Sequence, residues 1–164
     1  MKITLLAFGS AVLLVGCATD ERVGRLEKRV EELNVEQKKN QAVVDFDLQG
    51  KCAKDSRTWF NENWSRDKDT ALLTYTNHYN KTKNKCFVFV EYHYNFGPSG
   101  SWINDMTLWN IYENEKYGDF SQSTTVFLKP KYESTKSVAS CEVYGKRCTT
   151  VEEFNNLVSP YLNE

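Results

Sequence analysis

The chain has 164 residues, room for one domain with extra material at one end. Its 21 basic and 22 acidic residues nearly cancel, leaving a net charge of −1, which argues against a nucleic-acid-binding face and against strong electrostatic steering of any partner. Apolar residues make up 40%, enough for a modest core, and an aromatic share of 13% favours strands.

The first sixteen residues stand apart. Lys2 is a minimal positive region, and Ile3 to Val15 is apolar apart from Thr4, Gly9 and Ser10. The run falls short of the roughly 20 residues that span a bilayer, so it reads as a signal-peptide core with the small residue Gly16 at the cut. Leu14-Val15-Gly16-Cys17 directly follows this core and resembles the lipobox of bacterial lipoproteins. The resemblance implies that Cys17 is lipidated and becomes the first residue of the mature chain. It also implies a sorting preference: an Asp after the Cys retains such proteins in the inner membrane. Here that residue is Ala18, so the expected address is the outer membrane, facing the periplasm. A plain secretory peptide with Cys17 left free is the alternative.

Five Cys occur, at 17, 52, 86, 141 and 148. Lipid on Cys17 accounts for the odd count and leaves four, which pair in three ways. An exported domain in an oxidising compartment favours disulfides, and the preferred pairing is Cys52–Cys86 with Cys141–Cys148. Gly145 sits centrally between the latter two, where a hairpin turn wants positive φ. Four reduced buried thiols are the alternative. Zinc is disfavoured because no Cys-x-x-Cys pair occurs.

Residues 18 to about 64 contain no Pro and read as helix. Val23, Leu26, Val30 and Leu33 keep a 3-4-3 spacing, a heptad seam with Val at a and Leu at d, and Arg22 and Glu27 flank it as a favourable interchain pair. The seam then meets Gln37 and Asn40, so only two heptads are clean. A homo-oligomer through 22–37 is one expectation; a solvated single helix, or one folded back on the domain, is the other. Around Gly50 the apolar spacing changes: Val44, Leu48, Cys52, Trp59 and Phe60 share a face, predicting a helix over 47–63 that packs on the globular domain.

The strongest β pattern covers 70–79 and 86–95, around the polar run Asn80 to Asn84. A turn pairing Tyr79 with Cys86 puts Ala71, Leu73, Tyr75, Tyr79, Cys86, Val88, Val90, Tyr92 and Tyr94 on one face, the expected core face. Thr74, Thr76, His78, Phe87, Glu91 and His93 fall on the other. Residues 96–101 read as a loop. A second hairpin is expected over 102–112 and 116–122, turning at Glu113-Asn114-Glu115, then a strand over 124–130 and the Cys141 hairpin. Thr150 to Glu153 resembles a capping box opening a helix with Phe154, Leu157, Val158 and Leu162 on one stripe, its last turn weakened by Pro160.

From Cys52 onward the body is similar to a set of uncharacterised bacterial exported proteins. The shared residues are Cys52-Ala53-Lys54, His78-Tyr79-Asn80, Lys85-Cys86-Phe87, and the ending from Cys148 through Glu153-Phe154 and Leu157-Val158 to Tyr161. The resemblance implies an α+β extracytoplasmic domain and carries no activity. The expected organisation is a signal peptide over 1–16, a lipid anchor and helical spacer over 17–46, and an α+β globular domain over 47–164. That domain is expected to be a small antiparallel β-meander packed by a helix, with a C-terminal helix.

Reactive constellations are sparse. His78 and His93 share a face but lie about 20 Å apart along the hairpin, too far for one metal. Gly97-Pro-Ser-Gly-Ser101 is not a nucleophile elbow, and no phosphate loop, calcium loop or carboxylate pair stands out. No cofactor or metal site is expected. Trp64, Trp102, Trp109 and Tyr112 are candidates for a ligand surface suited to a glycan or a protein, although aromatics in a small β-rich domain also build core. The expectation is a non-catalytic, lipid-anchored binding or structural module. The alternative is an enzyme or metal-binding protein using His78 with Cys86, which needs a free thiol.

Overall fold

The computed structural model describes residues 16–96, 100–127 and 133–163. The expected signal peptide up to residue 15, with Leu14 and Val15 of the lipobox-like segment, lies outside them, as does the side chain of Cys17. The chain divides into two compact units after Val44.

Helix α1 runs without interruption from Gly16 to Asn63. The change of apolar spacing near Gly50 therefore marks a change of surroundings rather than a second helix. A glycine inside a helix costs only about 1 kcal/mol relative to Ala, too little to break it. At the end of α1 the Asn63 amide donates to the Trp59 carbonyl at 2.8 Å. No helix among the described residues is long and apolar enough to cross a membrane.

The second unit is an open six-stranded antiparallel meander, β1 (Thr70–Asn80), β2 (Lys85–Phe96), β3 (Ser101–Asn110), β4 (Glu115–Phe127), β5 (Glu133–Val143) and β6 (Lys146–Arg147), followed by α2 (Val151–Leu162). The first hairpin pairs Tyr79 with Cys86, the expected register. A bulge between Thr70 and Leu72 throws Ala71 out of its predicted core place, and it is exposed. The second hairpin turns at 111–114, earlier than expected, with Asn114 at φ 50°. The strand expected over 124–130 is not separate: β4 continues to Phe127, because the irregularity opposite Ser121 and Gln122 is absorbed by an extra residue, Ala139, on β5.

Both faces of the sheet are covered, a departure from the expected single core face. On one, Cys52 of α1 packs with Tyr79 and Cys86, and Trp59 and Phe60 of α1, with Trp64 just beyond its end, pack on Leu73, Tyr75, Val88, Val90 and Tyr92. On the other, Phe154 and Val158 of α2 pack on Phe87, Phe89, Met106, Leu108, Phe120 and Val143. Phe87, assigned by alternation to the outer face, is completely buried there. The continuous run Cys86 to Val90 is the pattern of a strand buried on both sides.

Helix α2 begins as the capping residues dictate: the Thr150 hydroxyl accepts from the Glu153 N–H at 3.1 Å. The return bond differs from a standard capping box, since Glu153 accepts from the N–H of Thr149 at 2.7 Å, one residue earlier. Pro160 does not end the helix, which runs on to Leu162. The buried amide of Asn80 ties the Pro160 carbonyl to the first hairpin at 3.2 Å.

Two disulfides join parts of this unit. Cys52–Cys86 ties α1 to β2, with Cα atoms 5.5 Å apart. Cys141–Cys148 staples the β5–β6 hairpin, with Cα atoms 5.0 Å apart.

Candidate ligand-binding site

The aromatic residues singled out in the sequence do not converge. Trp109 pairs with Val88 on the α1 side, and its ring packs on Trp59 at 5.6 Å. Trp64 packs on Tyr92 at 6.1 Å. Trp102 pairs with Asn95 on the opposite face, seven residues from Trp109 along β3, or about 23 Å. Tyr112 is exposed in the β3–β4 turn under the Lys51 ammonium, which lies 4.4 Å from its ring centroid.

His78 and Cys86 are not brought together. His78 pairs with Phe87 and shares the α2 side, whereas Cys86 faces α1 and is bonded to Cys52. Among the described residues no group of three or more His, Cys, Asp or Glu is placed to hold a metal ion.

A different cluster forms at the end of the sheet where the three hairpins turn. Residues Tyr144 and Gly145 make the β5–β6 turn, with φ 47° and 77°. A two-residue turn with both central residues at positive φ favours Asn-Gly or Gly-Gly. The other two hairpins have four-residue turns, 81–84 and 111–114, and each places an Asn, Asn84 or Asn114, at its single positive-φ position. Tyrosine in the left-handed region costs about 1–2 kcal/mol. The disulfide immediately behind the turn, and the bond from the Tyr144 N–H to the Tyr117 carbonyl at 2.7 Å, hold the backbone there.

The strained turn displays an aromatic ring. Tyr144 is 66% exposed, and its inner face stacks on Tyr117 at 5.2 Å with 16° between planes. Tyr117 is the extra residue of a bulge in β4, between the partners of Leu108 and Trp109, and bulges re-aim side chains. It is supported edge-on by Tyr161 at 5.7 Å and Phe87 at 5.1 Å. Burial among these rings pushes the Tyr161 phenol above its ordinary value, with further contributions from Tyr117 and Tyr144. Lys85 lies 5.4 Å from the Tyr117 ring centroid and is paired with Glu113, which also accepts from Asn110. The Glu113 hydrogen bond, with one to Tyr117, holds the Lys85 ammonium well above its usual range, so it stays charged.

Beside the stacked pair lies an open concavity of about 390 Å³, lined by Lys116, Tyr117, Gly118, Asp119, Glu142 and Tyr144 together with Gly145. Among its charges Lys116 and Asp119 pair at 2.9 Å, and Glu142 stands opposite Arg147 in the β5–β6 register. Burial would raise the Asp119 carboxyl, but hydrogen bonds from Ser140 and Lys116 outweigh it, and the net shift is downward. The result is a fixed aromatic face beside the Lys116–Asp119 ion pair and the Glu142 carboxylate. In the sequence Tyr161 stands out only as a residue shared with the exported-protein set, and no motif marks Tyr117 or Tyr144 as site residues. The signal present was a Tyr directly before Gly145 in a two-residue turn.

Comparisons with known protein families, with curated proteins and with solved structures find no match to this chain.

Proposed function

We propose that the protein is a lipid-anchored envelope protein whose second unit is a non-catalytic module binding a neutral glycan of the envelope. Cys17, after Leu14-Val15-Gly16, carries the lipid, and Ala18 directs the protein to the outer membrane, facing the periplasm. Several acyl chains on one residue give stable attachment where one chain binds only marginally. The observation that carries the binding reading is Tyr144, an exposed ring held in a costly backbone conformation by a disulfide. Such strain recurs at binding sites, where it pre-organises a contact group. An aromatic face beside hydrogen-bonding side chains suits the apolar face and hydroxyls of a sugar ring.

Two measurements test the two halves separately. Radiolabelled palmitate should enter the wild-type chain and not Cys17→Ala; equal incorporation removes the anchor. For the site, the probe is a neutral N-acetylglucosamine oligosaccharide titrated against the protein while the tyrosine ring protons are followed by NMR. Saturable shifts at Tyr144 and Tyr117, lost in Tyr144→Ala and kept in Trp102→Ala, are expected. No saturable shift at millimolar probe, or an unchanged one in Tyr144→Ala, refutes the glycan reading.

A further inference from the structure

We infer that the first unit is one strand of a parallel, in-register, two-stranded coiled coil formed with a second copy of this chain, from Val23 through Val44. Four residues at seam positions are displayed to solvent: Val23 is 50% exposed, Leu26 64%, Val30 55% and Leu33 58%. A surface helix buries such a stripe, and Val at a with Leu at d leans to two strands.

The seam does not stop where the apolar residues do. Continuing the heptad from Leu33 puts Gln37 at a, Asn40 at d and Val44 at a. The helix surface carries a concavity of about 410 Å³ lined by Leu33, Glu36, Gln37, Asn40, Gln41 and Val44. In heptad terms these are d, g, a, d, e and a. In a parallel dimer an a-position knob enters a hole bounded by the preceding d and g with the a and d of its own layer. The next d-position knob enters one bounded by a, d, e and the following a. The six lining residues are the union of those two holes for layers 37 and 40. This open stretch of helix surface thus coincides with where Gln37 and Asn40 of a second copy would seat in the heptad frame.

Those two polar layers also set orientation. In a parallel in-register pair Gln37 faces Gln37 and Asn40 faces Asn40, and each amide finds a donor and an acceptor across the seam. An antiparallel pair centred on Val30 and Leu33 sets Gln37 against Leu26 and Asn40 against Val23, leaving buried amides unpaired. A slip of one heptad sets Gln37 against Val30 or Val44. The flanking positions agree: g-to-e′ contacts are Arg22 with Glu27, Arg29 with Asn34, and Glu36 with Gln41, one attractive and none repulsive. Val35, at an f position, stays outside the seam and serves as a control.

The test uses the full chain in detergent-solubilised membranes, and it does not depend on the glycan reading. Gln37→Cys and Asn40→Cys should each form an interchain disulfide under mild oxidation, Val35→Cys should not, and sedimentation should give a dimer mass. Leu26→Asp with Leu33→Asp should abolish both linkage and dimer while the near-ultraviolet circular dichroism of the second unit is kept. A monomeric mass overturns the inference. A dimeric mass without linkage at 37 or 40, or with equal linkage at 35, overturns the parallel register.

Discussion

The two disulfides close loops of very different length, and their removal should rank accordingly. Cys52 and Cys86 are 34 residues apart, Cys141 and Cys148 only 7. The chain-entropy relation gives about 3.8 kcal/mol for the first and about 2.4 kcal/mol for the second. Replacing Cys52 and Cys86 by Ala also strips the buried Ser56 hydroxyl of its sulfur contact, 3.5 Å from Cys86, a cost of the same sign. The second unit has roughly 120 residues, so its unfolding entropy near the midpoint is about 250 cal/mol/K and each kcal/mol moves the midpoint by about 4 °C. Thermal unfolding followed by circular dichroism should fall by about 15 °C for Cys52→Ala with Cys86→Ala, and by about 9 °C for Cys141→Ala with Cys148→Ala. The loops do not overlap, so the losses should add in the quadruple variant. A short-loop variant falling as far as the long-loop variant would refute loop closure as the governing term.

Gly118→Ala should destabilise by about 1–3 kcal/mol in urea, because its Cβ would stand 2.9 Å from the Glu142 carbonyl and 3.0 Å from a Val143 methyl, where β4 and β5 meet. Tyr144→Asn trades backbone strain of about 1–2 kcal/mol for a stacked pair worth about 0.5–1.5 kcal/mol. Its stability should stay within about 1 kcal/mol of wild type while oligosaccharide-induced NMR shifts vanish. Thr107→Val should raise stability by about 1 kcal/mol, since the Thr107 hydroxyl is shielded from solvent without a hydrogen-bond partner; a loss of stability refutes that geometry. The hydrogen bonds from the Thr149 N–H and hydroxyl hold the Glu153 carboxyl below its ordinary 4.5. Its contribution is therefore present above pH 4.5 and is lost as pH falls through the lower folded value. Urea midpoints at pH 7 and pH 3 should show Glu153→Gln less stable at neutral pH and less sensitive to acid; an unchanged pH slope counts against the contact.

The parts of the fold legible in the sequence are those fixed by local rules. Alternation over 70–95 with a polar turn gave the Tyr79–Cys86 register, and that register aimed Cys86 at a helix carrying Cys52. Gly145 located the third hairpin, and Thr150 located the start of α2. What escaped depends on distant partners or irregular pairing. Phe87 is covered by a helix more than sixty residues away in sequence, and alternation cannot show which faces such a helix covers. The bulges at Ala71, Tyr117 and Ala139 shift parity by one residue and leave no residue-type signature. The candidate site suffered most from this, because Tyr117 owes its direction to a bulge and Tyr144 stands where a different residue type is favoured.

The order of the strands bears on how the domain is made. Every strand pairs with its neighbour in sequence, so the sheet can zip together from hairpins that close in microseconds, without waiting for remote segments. Helix α2, only 12 residues long, follows the sheet in sequence and packs, with Cys148 beside it, over the face formed by Phe87, Met106, Leu108 and Phe120. Until it docks, those side chains form a broad sticky patch on an otherwise finished sheet. Its short amphipathic stripe is thus a molecular stopper: a chain clipped ahead of Val151 would keep its hairpins and leave that apolar face uncovered, a surface prone to association.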